Sequence, residues 1–166
     1  MNNINEEFSK IYDRYIDKIY RFVFLKVNSQ EIAEDLTSET FLRGWEKFKE
    51  DQKEIKNIQA FLYQIARNLV TDHYREKGRT QFVSIDNVSI ADPRLNLEKT
   101  SQARSDLEIV KSALSRINDD YRDMVILHYL DDLSIPEISK ITGKSEEAIR
   151  VMVHRALKAL KNELEA

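Results

Sequence analysis

The chain has 166 residues, of which 42% are hydrophobic and 33% are charged, and it contains only three glycines, two prolines and no cysteine. The apolar fraction excludes a chain too polar to fold, the few turn residues argue against a strand-rich fold, and the lack of cysteine excludes disulfides and thiolate metal sites. The formal net charge of −3 argues weakly against a simple nucleic-acid-binding domain, which is usually basic. The composition therefore predicts an all-α protein.

The first half of the chain is predicted to contain three helices, because its apolar residues recur at the i, i+3/i+4, i+7 spacing of an amphipathic helix. The predicted ranges are Asn5–Val27, Gln30–Lys49 and Ile58–Lys77. The apolar faces of these helices could close a small bundle. We interpret residues 1–79 as one small helical domain.

The second predicted helix begins with an acidic segment. Residues 31–39 include four acids and no lysine or arginine, a local charge of −4. Glu31, Asp35 and Glu39 recur at i, i+4, i+8, and Leu42 lies on the same face. Like charges at this spacing destabilise an isolated helix, so the face either binds a basic partner surface or is a solvated acidic face. A carboxylate metal site is a third interpretation, which we disfavour because no histidine lies nearby.

The third predicted helix has both aromatic and basic residues. Its apolar side is expected to consist of Phe61, Leu62, Ile65 and Leu69. Tyr63, Arg67 and Tyr74 share a different face. The end of the segment is basic, with Arg75, Lys77 and Arg79. Aromatic side chains interleaved with basic ones suit single-stranded nucleic acid, because bases stack on rings and cations bind phosphates. The alternative is that the aromatic residues pack inside the bundle.

The next segment, residues 80–105, is polar and mixed, contains Asp92–Pro93 and has no sustained periodicity. A structureless segment of this length is unusual inside one compact domain. We therefore interpret it as a linker between two domains, with residues 106–166 as the second.

The second domain is again predicted to be helical. A first helix is expected over Asp106–Ile117, where apolar residues recur at helical spacing. A second helix is expected over Tyr121–Leu130. Asp119 or Asp120 is the expected N-cap of this second helix, because aspartate accepts hydrogen bonds from the free backbone N–H groups of a first turn.

A short helix, a glycine turn and a longer capped helix follow, which is the spacing of a helix-turn-helix. Ser134 and Glu137 form the S-x-x-E capping box of the short helix. Gly143 suits the left-handed residue that ends it. Ser145 is the expected N-cap of the closing helix.

The closing helix has an apolar face and a basic face. Residues 143–161 include five basic and two acidic residues, a local charge of +3. The predicted inward residues are Ile149, Met152, Val153, Ala156, Leu157, Leu160 and Leu164. The second helix of a helix-turn-helix lies in the DNA major groove, where arginine reads guanine and an apolar group contacts a thymine methyl. The candidate DNA-binding residues are Lys144, Ser145, Arg150, Val151, His154, Arg155 and Lys158. The alternative is a plain amphipathic helix with solvated basic side chains.

No enzyme site is predicted. His73, His128 and His154 show no metal-binding spacing, and the chain lacks a P-loop, a nucleophile elbow and a zinc-protease motif. We therefore expect no cofactor, no metal and no small-molecule substrate. The first residues lack the parts of a signal peptide, and no apolar stretch approaches the roughly 20 residues of a membrane helix. These features predict a soluble, cytoplasmic protein without direct membrane insertion.

Three segments in this order resemble the bacterial RNA polymerase sigma factors of the extracytoplasmic-function group, in the sigma-70 family. They are DLTSETFLRGWEKF (Asp35–Phe48), AFLYQIARNLVTDHYREKGR (Ala60–Arg79) and LSIPEISKITGKSEEAIRVMVHRALKAL (Leu133–Leu160). The resemblance covers nearly the whole chain. It implies that residues 1–79 form a region 2-like domain that binds the core polymerase and the promoter −10 element. Residues 106–166 would form a region 4-like domain for the −35 element.

The resemblance also implies roles for individual residues. The residues expected to bind the clamp of the largest polymerase subunits are Glu31, Asp35, Glu39, Phe41 and Leu42. The residues expected to capture the melted −10 strand are Tyr63, Arg67, Asn68, Tyr74, Arg75, Lys77 and Arg79. The loop at residues 50–59 lies where the family holds a flipped-out base, and the basic face of the closing helix lies at the −35 reading positions. The implied partners are core RNA polymerase, promoter DNA and an anti-sigma factor.

The sequence departs from the family pattern at three positions. Ser38 stands where the family often has glutamine, and Val151 and Met152 replace a small polar and basic pair in the reading helix. The resemblance therefore leaves the −35 sequence preference open. The alternative hypotheses are a stand-alone helix-turn-helix regulator and a helical adaptor that never binds DNA.

Overall fold

The computed structural model describes residues 3–77 and 101–165, which form two compact units. The first unit contains α1 (Ile4–Val27), α2 (Gln30–Glu50), a 3₁₀ turn (Gln52–Glu54) and α3 (Ile58–Lys77). The second contains α4 (Ser101–Arg116), α5 (Asp119–Met124), a π-helical segment (Val125–Leu130), α6 (Ile135–Thr142) and α7 (Glu146–Glu165). The regular elements of the described residues are all helical, so the all-α prediction is confirmed. Arg79 and residues 80–100 of the predicted linker lie outside the described residues.

A tight connection turns the chain from α1 into α2. Asn28 adopts the left-handed conformation with a φ of 56°, and its backbone N–H donates to the carbonyl of Phe24 at 2.8 Å. Ser29 then caps α2, because its hydroxyl accepts from the N–H of Ile32 at 3.3 Å. Asparagine tolerates the left-handed region better than most residues, so this position ends α1 without a glycine.

Gly44 lies where α2 packs tightly against both other helices of the first unit. A Cβ atom at this position would lie 2.8 Å from Cδ2 of Leu62 on α3 and 3.7 Å from Cζ of Phe8 on α1. The Phe8 ring also contacts Trp45, with 5.3 Å between ring centroids, and Phe48, with 5.5 Å. α2 is thus wedged between α1 and α3, and the missing side chain of Gly44 permits this close packing.

The second unit starts differently from the prediction. α4 begins at Ser101, inside the segment that was interpreted as linker. The first residues of α4 are mostly polar and show no helical spacing of apolar residues, so the hydrophobic pattern of the sequence could not locate this first turn. The N-cap of α5 is Asn118, whose side-chain oxygen accepts from the N–H of Tyr121 at 2.8 Å. The prediction of Asp119 or Asp120 as the cap is therefore wrong, and both lie within the first turn instead.

The π-helical segment Val125–Leu130 connects α5 to the helix-turn-helix. Its hydrogen bonds extend past its own end, because the N–H of Leu133 donates to the carbonyl of Leu127 at 2.9 Å. The ring nitrogen Nδ1 of His128 lies 2.9 Å from the carbonyl oxygen of Leu133. Asp132 adopts a φ of 56° between these contacts. The segment therefore fixes the direction in which α6 starts.

The turn between α6 and α7 has the predicted local geometry. The Ser134 hydroxyl accepts from the N–H of Glu137 at 3.2 Å, and the Glu137 carboxylate accepts from the N–H of Ser134 at 3.1 Å, which confirms the capping box. Gly143 has a φ of 78°, and its N–H donates to the carbonyl of Ser139 at 2.8 Å. The Ser145 hydroxyl accepts from the N–H of Ala148 at 3.1 Å, so Ser145 caps α7 as predicted.

Within residues 3–77 and 101–165, no helix has both the length and the hydropathy needed to span a lipid bilayer. The longest helix, α1, has charged residues along its length. The helices of both units instead bury one face and expose the other.

Candidate nucleic-acid and protein interfaces

The inward face of α7 packs the helix onto the second unit. Ile149, Val153, Ala156 and Leu160 are buried. Met152 and Leu157 are half-buried, whereas Leu164 is 42% exposed. The predicted inward face is therefore confirmed over most of the helix and is wrong at Leu164, which follows the packed turns near the end of the chain.

The opposite side of α7 is a continuous exposed surface. It consists of Arg150, Val151, His154, Arg155 and Lys158, all of which are exposed, and we call it the α7 outer face. A guanidinium nitrogen of Arg150 lies 3.6 Å from a carboxylate oxygen of Glu146 one turn earlier. Both partners are exposed, so this ion pair is weak and a stronger acceptor can replace it.

Lys144 and Ser145 lie in the turn that starts α7, where their backbones are tightly held. The N–H of Lys144 donates to the Thr142 hydroxyl at 3.2 Å, and its carbonyl accepts from the Ser139 hydroxyl at 2.5 Å. The Ser145 hydroxyl is used in the helix cap. These contacts fix where α7 begins, and therefore where the α7 outer face points.

The acidic residues of α2 lie along one outer side of the first unit. Glu31 and Asp35 are exposed, and Glu39 is half-exposed. Glu39 is paired with Arg43 on the next turn, with 2.9 Å between the two side chains. Within the range 3–77, Glu31 and Asp35 form no such ion pair with a basic side chain. Leu42 on the same side is 50% exposed. We call Glu31, Asp35, Glu39 and Leu42 the α2 acidic face.

Phe41 does not belong to this surface. Its side chain is only 5% exposed, and its ring packs edge-on against Tyr12, with 5.0 Å between centroids. Little of the Phe41 side chain is therefore accessible for a direct contact with the polymerase. Phe41 lies on the side of α2 that packs against α1, so it supports the α2 acidic face from behind.

The sequence missed an open groove beside the α2 acidic face. The groove has a volume of about 320 Å³ and is lined by Asn5, Phe8, Ser9, Tyr12 and Trp45. Tyr12 is 44% exposed there. Leu42 lies one turn before Trp45 on α2, so the groove continues the α2 acidic face. The residues come from two helices, and the sequence signal for Phe8, Tyr12 and Trp45 was only their place in an apolar stripe.

Tyr63 is a core residue, contrary to the single-strand prediction. It is fully buried, and its ring packs edge-on against Phe22, with 5.7 Å between centroids. The buried face of α3 consists of Ala60, Leu62, Tyr63, Ala66, Leu69 and Val70. This face is wider than one apolar stripe because α3 packs against both α1 and α2. The alternative interpretation, an aromatic contribution to the bundle, is correct for Tyr63.

The other predicted residues of α3 lie at or near the surface. Asn68 and Arg75 are exposed, and Arg67 and Lys77 are half-buried. Tyr74 is 42% exposed, and its hydroxyl donates to the carbonyl of Lys26 at the end of α1. The ring of Tyr74 is therefore accessible while its hydroxyl holds it in place. We call these five residues the α3 surface.

His73 does not add positive charge to the α3 surface near neutral pH. Burial lowers the pKa of His73, and the neighbouring Lys77 ammonium lowers this pKa further. A histidine with a pKa below its ordinary value of 6.5 is mostly neutral at pH 7. The cationic groups of this end of α3 are therefore the arginine and lysine side chains.

The loop between α2 and α3 is anchored at both ends. The carboxylate of Asp51 accepts from the N–H of Lys53 at 3.1 Å, and the Asn57 side chain accepts from the N–H of Ala60 at 3.0 Å. Lys47 on α2 pairs with Glu54 in the loop, and the hydrogen bond to Glu54 raises the pKa of Lys47. The loop therefore has a defined path beside the start of α3.

One cluster of carboxylates among the described residues has the spacing of metal ligands. Oxygens of Asp119, Asp120 and Asp123 lie within 4.8 Å of one another. Asp119 and Asp120 belong to the first turn of α5, where the positive end of the helix dipole favours acidic side chains, and Asp123 lies on the following turn. Their position is explained by this helix start, so the cluster gives no reason to assign a metal.

Comparison with known families matches both units. Residues 11–80 match the family model Sigma-70 region 2, and residues 107–160 match Sigma-70, region 4. The two matches together span most of the chain, and they occur in the order in which the two units occur here.

The chain is similar to several curated sigma factors. It is 32% identical over 161 residues to the ECF RNA polymerase sigma factor BldN of Streptomyces coelicolor, covering 93% of this chain and 59% of BldN. It is 28% identical over 176 residues to the ECF RNA polymerase sigma factor SigW of Bacillus subtilis, covering 96% of this chain and 89% of SigW. The chain thus spans less than two thirds of BldN and most of SigW.

Two solved structures share the fold. The sigma factor RpoE from Bartonella quintana, in complex with the anti-sigma factor NepR, matches with a TM-score of 0.79 and 23% identity, over 97% of this chain and 98% of that chain. CnrH, in complex with the cytosolic domain of CnrY, matches with a TM-score of 0.73 and 18% identity, over 97% and 89%. At these identities the likeness concerns the fold alone.

Proposed function

Because the chain belongs to the sigma-70 family of RNA polymerase sigma factors, in its extracytoplasmic-function group, we propose that it directs core RNA polymerase to specific promoters and assists their opening. The family is one of transcription initiation factors, and we infer a non-catalytic specificity subunit that acts in the cytoplasm. The observation that carries the proposal is the presence of region 2 and region 4 in one chain, each with its own charged surface.

The α7 outer face is the proposed contact to the −35 element. Arg150, in the second turn of the helix, and His154, one turn later, are exposed and can reach base edges, as residues in the N-terminal half of a recognition helix do. Arg155 and Lys158 lie further along and suit phosphates. The capped turn at Lys144 and Ser145 fixes the start of the helix, so the register on DNA is set by a rigid element.

The α2 acidic face is the proposed contact to the clamp of the largest polymerase subunits. Asp35 and Glu31 supply carboxylates that pair with no basic side chain of residues 3–77, and Leu42 supplies exposed apolar area beside them. A basic helix with an apolar stripe would match this pattern of charge and contact area. The groove beside Tyr12 and Trp45 enlarges the surface available to such a partner.

The α3 surface is the proposed site for the melted −10 strand. Tyr74 presents a ring on which a base can stack, and Arg75 and Lys77 can contact phosphates. Asn68 and Arg67 offer hydrogen-bond donors one to two turns earlier. Arg79 follows α3 in the sequence and completes the basic end that we propose. The anchored loop at residues 50–59 is the proposed position of a flipped-out base.

We also propose that an anti-sigma factor controls this protein. RpoE from Bartonella quintana was solved in complex with the anti-sigma factor NepR, and its fold covers 97% of this chain. The α2 acidic face and the groove beside it present apolar and acidic area in the free chain. A regulator that covered this area would prevent the proposed clamp contact.

Run-off transcription tests the proposed function. Purified bacterial core polymerase is supplied with fragmented genomic DNA of the host, with and without the protein. We expect discrete new transcripts only when the protein is present, because core polymerase alone does not select promoters. No change in the transcripts, together with tight operator binding in the absence of core polymerase, would instead support a stand-alone helix-turn-helix regulator.

A further inference from the structure

Val151 is an apolar residue in the middle of a polar surface. Its side chain is 47% exposed, whereas Val153 on the opposite face is buried. An α-helix turns by about 100° per residue, so the nearest neighbours of Val151 on the helix surface include Glu147, His154 and Arg155. All three are exposed. Val151 therefore lies well away from the border between the α7 outer face and the core.

Stability of the helix does not explain a valine at this position. A β-branched residue has a lower helix propensity than alanine, lysine or glutamate. No core surrounds the side chain to compensate for that difference, because three of its four neighbours on the helix surface are exposed polar residues and the fourth, Ala148, is half-buried. What valine offers instead is a pair of methyl groups held in one preferred rotamer, so an apolar contact would cost little side-chain entropy.

The place of Val151 along α7 suits a contact to a base. α7 starts at Glu146 after the Ser145 cap, so Val151 lies in the second turn, directly after Arg150. In a helix-turn-helix the N-terminal residues of the second helix approach base edges in the major groove. A side chain at this position faces base edges, whereas Lys158, two turns later, suits the backbone.

We infer that Val151 contacts the 5-methyl group of a thymine in the −35 element and thereby selects an A·T pair at that position. This inference rests on the proposed role of α7. Thymine is the base that presents a methyl group in the major groove, and the other bases present donors or acceptors there. Valine has neither, so a G·C pair at this position would offer it no apolar group to contact.

The test replaces each thymine of the −35 element, one at a time, by deoxyuridine, which lacks only the methyl group. Binding of the holoenzyme, assembled from the full chain and core polymerase, is measured on a promoter found by run-off transcription. The chains compared are the wild type, Val151→Ala and the control Lys158→Ala. For the wild type we expect one deoxyuridine position to weaken binding about fourfold, as burial of one methyl group predicts.

At that same position we expect the deoxyuridine substitution to weaken binding of the Val151→Ala holoenzyme little or not at all. It should weaken binding of the Lys158→Ala holoenzyme as much as that of the wild type. Equal losses for the wild type and Val151→Ala at every thymine, or no loss at any thymine, would overturn the inference. Arg150→Ala separates this result from failure of the proposed function. If Arg150→Ala and scrambling of the −35 element both leave binding unchanged, α7 does not read this element, and both proposals are wrong.

Discussion

At the scale of single residues, Lys111 stands out because it is a lysine with a buried side chain, and burial disfavours its charged form. It lies on α4 and is 5% exposed. Burial lowers the pKa of Lys111 from 10.5 to about 8, although nearby Glu108 raises it. The ammonium form is therefore less favourable in the folded protein than in the unfolded chain. The fold keeps this lysine at a cost in stability, which none of the proposed interfaces explains.

This cost predicts a pH-dependent effect of Lys111→Met. Below pH 8 both the folded and the unfolded chain hold the proton, so the full cost is present in the wild type and the variant should be more stable by roughly 3 kcal/mol. The advantage should shrink between pH 8 and 10.5, where the folded chain has released the proton that the unfolded chain still binds. Calorimetric Tm values of the full chain from pH 7 to 10.5 measure this difference.

Lys161→Met is the matched control for this prediction, because Lys161 is exposed on α7 of the same unit. We expect its Tm difference from the wild type to be small and nearly constant over the pH series. A Lys111→Met variant that is less stable than the wild type at pH 7, or whose difference does not change with pH, would contradict the argument.

At the scale of elements, each helix of the first unit has a packing face and a face left for partners. Phe41 and Leu42 are neighbours on α2, yet Phe41 is 5% exposed and Leu42 is 50% exposed. The sequence located the α2 acidic face correctly, since a charged stripe is a local pattern. It did not separate Phe41 from that face, because an apolar residue near the edge of a stripe is buried or exposed according to where the next helix lies.

Charge reversal of Asp35 tests the element-scale assignment of α2. Asp35→Arg would place a cation opposite the basic partner that we propose, so we expect the affinity for core polymerase to fall by about 30-fold or more. The measurement is co-purification with core polymerase, followed by quantitative binding. Asp17→Arg, an exposed position on α1, makes the same charge change and should bind core polymerase like the wild type.

If Asp35→Arg co-purifies with core polymerase as well as the wild type does, the α2 acidic face does not bind the clamp. Loss of binding by both variants would show that net charge, and not this face, is what matters. Because both positions are exposed, the circular dichroism spectra of the two variants should match that of the wild type.

At the scale of the whole molecule, a net charge of −3 combines with a basic α7 outer face and an acidic α2 face. The DNA phosphates would repel the acidic surfaces while they attract the basic side chains of α7. Few lysine and arginine side chains are available on that face to displace counterions from the DNA. We expect a chain with this charge distribution to gain promoter affinity mainly through the proposed complex with core polymerase. This distribution is the one expected if, as proposed, the α2 acidic face contacts the polymerase and the α7 outer face contacts promoter DNA.

This charge distribution predicts weak DNA binding by the free protein. In fluorescence anisotropy at physiological salt, we expect the free chain to bind a promoter duplex at least about 100-fold more weakly than the holoenzyme does. The comparison includes core polymerase alone and a duplex with a scrambled −35 element. Nanomolar binding by the free chain to the intact duplex alone would contradict the prediction and favour a stand-alone regulator.

The sequence by itself determined the features of this protein that depend on neighbouring residues. The capping box at Ser134, the left-handed Gly143 and the Ser145 cap follow from local hydrogen bonds and backbone sterics, so reading the chain was enough to find the helix-turn-helix. The two opposite charge clusters are likewise local. Only the tertiary structure decided that Tyr63 is buried and that Tyr12 and Trp45 line a groove. Burial at these positions depends on the path of a second and a third helix, and no residue's own neighbours along the chain encode that path.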